Sequence, residues 1–158
     1  MKKDHLRDYA THAFRAYACF GCPTYEKLRQ QLIADAAAKR GEAIGVSSGI
    51  SKPTEAAVLA AEAQLDNAIG LLADLLAVIR TVDLIMRRSD GEAVMRCLEL
   101  VYFSEPAREL EPGDISARVQ HAATVTFMDA RTVYRKLGTA RKIFSTERGL
   151  NVVSKVGY

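Results

Sequence analysis

The stretch DISARVQHAATVTFMDARTVYRKLGTARKIFSTERGL, residues 114–150, decides how this chain is read. It divides into two helical patterns joined by a short turn. Asp114 follows Pro112-Gly113 and stands where an N-cap belongs. Ile115, Val119 and Ala122 or Ala123 then share one face. Residues 124–128 are poor in helix formers and supply the turn. Asp129 caps the second helix, where its carboxylate can accept free amides and meets the positive end of the helix dipole.

The second helix sorts by face. Ala130, Val133, Leu137, Ala140 and Phe144 recur at helical spacing and form the inward side. Arg131, Thr132, Arg135, Lys136, Thr139 and Lys142 occupy much of the rest. Gly149 is placed to terminate the helix, and Leu150 to fold back towards Phe144. Gly138 is costly inside a helix, by about 1 kcal/mol relative to Ala. Close approach to a phosphate or to a neighbouring helix would each explain it.

A capped helix with one basic side is what a DNA major groove admits, its N-terminal residues reaching base edges. Arg131, Thr132 and Arg135 are placed for base contacts, with Thr139 beside them. Lys136, Arg141, Lys142 and Arg148 suit phosphates, which position a protein without reading sequence. A solvated basic face on an internally packed helix is the bland alternative. Charge distribution favours a polyanionic partner. Residues 114–158 hold eight Lys and Arg against three Asp and Glu, a net of +5, while residues 1–113 hold fourteen against sixteen, a net of −2.

The run Ile115-Ser-Ala-Arg, then Asp129-Ala-Arg-Thr-Val-Tyr-Arg-Lys-Leu, then Ala140-Arg-Lys-Ile-Phe resembles the C-terminal helix-turn-helix of phage-encoded transcriptional regulators of the RinA and ArpU type. Those regulators are similar in turn to region 4 of sigma factors. The resemblance covers about 40 residues. It implies recognition of promoter DNA by the final helix, through Arg131, Thr132, Arg135 and Lys136. It also implies double-stranded DNA and RNA polymerase as partners, and a phage or mobile-element origin.

Upstream of this segment the chain reads as a helical body, residues 1–103. Residues 4–18 place Leu6, Ala10, Ala13, Phe14 and Tyr17 on one face. Phe20-Gly21-Cys22-Pro23 breaks that helix. Thr24 caps a second, over residues 25–40, which Gly41 ends. Residues 41–52, with three Gly and three Ser, read as a flexible connector.

Residues 53–88 carry the longest helical signal. Val58, Ala61, Leu65, Ala68, Leu72, Leu75, Ile79, Val82 and Met86 alternate spacings of three and four, a heptad seam. Self-association as a homodimer through this seam is expected, against packing within the chain. Asp90 can cap a further helix over residues 91–103, with Val94, Leu98, Val101 and Tyr102 inward.

Competing chemistry is weaker. Cys19-Phe-Gly-Cys22 is a C-x-x-C, and two thiolates at that spacing can share a zinc ion. A closed site needs two more ligands, and His12, Cys97 and His121 offer no matching pair. A redox dithiol would want a thioredoxin-like βαβ setting, which is missing. Packing thiols are the simpler reading, so no cofactor is expected. The scattered acids form no catalytic constellation, and an enzyme is not expected. Apolar residues make up 49% of the chain, yet the most apolar stretch is interrupted by Asp74, Arg80 and Asp83. No membrane span or signal peptide is expected. Three unpaired Cys fit a cytoplasmic location. The expectation is an all-α DNA-binding regulator. A helical interaction or scaffold module pairing through residues 53–88 is its main rival.

Overall fold

A computed structural model describes residues 4–45 and 55–150, with side chains described over 4–35 and 68–150. The protein is all-α: the described residues form six helices and no strand. These are α1 (His5–Cys19), α2 (Tyr25–Gly45), α3 (Glu55–Met86), α4 (Gly91–Val101), α5 (Asp114–Thr126) and α6 (Ala130–Arg148).

Two compact units are built from them. One joins the chain up to Cys22 to the chain from Asp74 onward, and the other is Pro23–Ala73. A boundary between residues 103 and 114, expected from sequence, does not separate the units. The reason is the core of the first unit. Phe14 of α1 stacks on Tyr102 at 5.7 Å and lies 5.6 Å from Phe144 of α6. Tyr17 reaches Phe103 at 5.5 Å. Val94, Leu98 and Val101 of α4, Val119 and Ala122 of α5, and Val133, Leu137 and Ala140 of α6 are all fully buried. The C-terminal helix pair has no separate core. It closes over α1 and α4.

Local chemistry sets most helix ends. Asp4 caps α1 by accepting from the Arg7 amide at 3.0 Å. Leu6, expected inward, is 39% exposed, and Arg15 is buried in its stead with Ala10, Ala13 and Phe14. Thr24 Oγ1 accepts from the Lys27 amide at 3.3 Å, as a cap for α2. That helix continues through Gly41 to Gly45, since a helical glycine costs only about 1 kcal/mol. Residues 46–54, the remainder of the expected connector with a margin at its end, lie outside the described residues. Asp90 stands at the N-cap of α4 without capping. Its carboxylate takes Arg88 Nε at 2.8 Å.

The seam of α3 is displaced from the stripe that the fold buries. Leu75, Ala77, Val78, Thr81 and Ile85 are buried. Leu72, Ile79 and Val82 are half-buried, and Ala68 and Met86 are exposed. The side chains of Val58, Ala61 and Leu65 lie outside the described residues.

Two arginines hold the connector between α4 and α5. The Arg15 guanidinium, 7% exposed, donates to the carbonyl oxygens of Tyr102, Glu105, Pro106 and Arg108. Arg118 donates to those of Val101 and Ser104. A connector closed this tightly leaves carbonyls without ladder partners, and the two forks satisfy them.

Candidate nucleic-acid interface

The α5–α6 pair forms differently in detail from its sequence reading. Asp114 is the first residue of α5. Gly113, at φ 89°, is the capping position, and Asp114 Oδ2 accepts instead from the Glu111 amide. α5 also runs through the expected turn residues 124–126. Thr124 and Thr126 bond back to the carbonyls of Gln120 and Ala122, which lets two poor helix formers stay helical. Phe127, at φ 57°, ends the helix. Only residues 127–129 separate the two helices.

Asp129 caps α6. Its Oδ1 accepts from the Thr132 amide at 2.7 Å. Hydrogen bonding from the Thr132 side chain, then from the Thr132 amide, holds this carboxyl below its usual pKa, and the charges of Arg135 and Arg131 add to that. At the far end Gly149 adopts the left-handed conformation, and the Leu150 amide donates to the Ser145 carbonyl at 2.8 Å.

The inward side of α6 is Val133, Leu137, Ala140 and Phe144. At 100° per residue, Arg131, Arg135 and Lys142 fall opposite that side. All three are exposed, and none has an ion-pair partner among the described residues. Thr132 and Thr139 flank them, half-buried, and Thr139 Oγ1 donates to the Arg135 carbonyl at 3.2 Å. Gly138 faces open space, where an added Cβ would meet only the Arg141 guanidinium, at 3.7 Å. No neighbouring helix explains it.

The other expected cations point elsewhere. Arg148 Nε bonds Asp74 Oδ1 at 2.8 Å. Arg141 donates to the Tyr102 hydroxyl at 2.9 Å. Both are engaged inside the first unit and are removed from the free row, because they sit on the flanks of α6 that touch neighbouring elements. Lys136, its side chain 19% exposed, stands 3.9 Å from Asp90. Sequence periodicity could place these three on the flanks, but it could not reveal their partners.

A groove of about 890 Å³ opens along the Arg141 flank of α6, lined by His12, Arg15, Cys19, Tyr102, Tyr134 and Arg141 among others. Cys19 and Cys22 are exposed thiols, and Cys97 is buried. Burial pushes the Cys22 and Cys97 thiols up. Among the described residues no three His, Cys, Asp or Glu gather into a metal site. No described helix is long and apolar enough to cross a membrane. No protein-family model matches the chain, and neither does any curated protein or solved structure.

Proposed function

We propose that this protein binds double-stranded DNA through the outer side of α6 and regulates transcription. The observation that carries the reading is the row Arg131, Arg135 and Lys142, exposed, without an ion-pair partner among the described residues, and opposite the buried side of a capped helix. Exposed guanidinium groups on the first turns of a helix suit bidentate contact with guanine O6 and N7. Lys142, further along, suits a phosphate. The family resemblance supports a phage-like regulator that meets RNA polymerase, and the three cysteines support a cytoplasmic setting.

The test is a salt titration of binding to random duplex. Each neutralised phosphate contributes about −0.9 to the slope of log K against log salt concentration. Lys142→Ala should make that slope shallower by about 0.9 and weaken all sequences alike. Arg131→Ala should flatten the preference among selected sites. A chain that shifts no duplex at low salt overturns the reading.

The alternative is an interaction module pairing helices through α3, with a second copy as one possible partner. It draws on Leu72, Ile79, Val82 and Met86, apolar seam residues that the fold leaves half-buried or exposed. Sedimentation would then report an oligomer, and Ile79→Glu would dissociate it.

A further inference from the structure

Phe127 combines two properties that folding does not explain. Its backbone is left-handed, at φ 57°, and its side chain is 96% exposed. A bulky residue is rarely found in that conformation, because its Cβ crowds the following carbonyl. Among the described residues glycine fills the left-handed positions at Gly21, Gly113 and Gly149, and Cys22 and Glu105 fill two more, but Phe127 alone puts a bulky aromatic ring there. A glycine at 127 would end α5 in the same way, since the interaction made there is the backbone amide donating to the Ala123 carbonyl. The ring has no aromatic partner among the described residues. The turn is thus strained to present a phenyl group to the outside. Strain kept without benefit to the fold is a mark of a working position.

What meets the ring follows from where it stands. Phe127 precedes the Asp129 cap by two residues, and Arg131 comes one turn later. The N-terminal end of a recognition helix is the end that reaches base edges. An uncharged ring gains nothing from a phosphate. Among the groups displayed in the major groove, the thymine 5-methyl is the apolar one, and Phe is a residue that pairs with it. Building on the proposal that α6 enters duplex DNA, we propose that Phe127 is a specificity-determining residue whose ring packs on a thymine methyl beside the bases read by Arg131.

The experiment uses the full chain and its preferred duplex, with each thymine replaced singly by uracil. Uracil keeps the hydrogen bonds and removes only the methyl. The wild type should bind about fourfold more weakly at one such position, the value of one methyl taken out of water. Phe127→Gly and Phe127→Asn, both tolerant of a left-handed backbone, should bind the thymine and uracil duplexes equally. Their salt slopes should match the wild type, because no counterion is released by a phenyl ring. Phe127→Gly should melt no lower than the wild type. Variants that still discriminate thymine from uracil overturn the inference while leaving the DNA reading intact, as does a wild type indifferent to every replacement. A wild type that binds no duplex overturns both.

Discussion

Arg148 Nε donates to Asp74 Oδ1 at 2.8 Å, on the same oxygen that accepts the Tyr9 hydroxyl at 2.5 Å. One carboxylate therefore ties the last turn of α6 to α1 and α3. The cation also sits well at the negative end of the α6 dipole. Burial, followed by the Asp74 hydrogen bond, pushes the Tyr9 phenol up, so it stays a donor.

Arg148 is thus a pin, and it should behave as one. Arg148→Ala should lower stability by about 1 kcal/mol, for a charged hydrogen bond that is partly exposed. The slope of duplex binding against salt should stay at the wild-type value. Urea unfolding and the salt titration check the two halves separately.

Arg15 should matter far more to the fold. Arg15→Ala strips four connector carbonyls of their donor. Unsatisfied buried acceptors cost roughly 1–3 kcal/mol each where water cannot replace the donor. A total loss of about 3 kcal/mol is expected by urea unfolding, some of the groups being reachable by water. Arg15→Lys should recover only part of the loss, since a single ammonium lacks the second guanidinium nitrogen that reaches the Tyr102 carbonyl.

Tyr17 makes the protein sensitive to alkali. Burial pushes its phenol up to about 12 from the ordinary value of 10.0. A raised folded value means that the folded state holds its proton longer. The stability this contributes is whole below pH 10 and is lost as pH rises through about 12. The difference between wild type and Tyr17→Phe, followed by urea unfolding at pH 8 and pH 11, should shrink in that direction. A difference constant across that range would refute the burial of this hydroxyl.

Two glycines should respond in opposite ways. A Cβ on Gly91 would lie 2.1 Å from the Ile85 carbonyl oxygen. Gly91→Ala must move backbone, at a cost of about 3 kcal/mol. Gly138→Ala meets nothing closer than 3.7 Å and should raise stability by about 1 kcal/mol. It should also weaken duplex binding, because the open space at Gly138 adjoins the cationic row. Thermal melting beside a mobility-shift assay separates the two effects.

In α6 both periodicity and caps are legible in the sequence. Val133, Leu137, Ala140 and Phe144 announce their burial by spacing alone, and Asp129 and Gly149 bracket α6 by residue type. These are local signals, carried within a turn or two of helix. Arg15 gave no such signal, because its partners lie 87 to 93 residues away. The division of the α6 cations into free and engaged was hidden for the same reason. Helical spacing sets Arg141 on a flank and Arg135 on the outer side, but the Tyr102 hydroxyl that engages Arg141 is 39 residues away in sequence. Threonines 124 and 126 misled through propensity, which their bonds to preceding carbonyls override.

Phe14 touches Phe144, so the first unit is sewn from segments far apart in the sequence. During synthesis Phe14 emerges about 90 residues ahead of Tyr102 and Phe103 and must wait longer still for Phe144. A nascent chain halted anywhere short of α6 would carry a helix with an uncovered apolar flank, a natural substrate for chaperones. Completion of the basic helix and completion of the core are one event on the ribosome, which leaves no folded intermediate bearing one without the other.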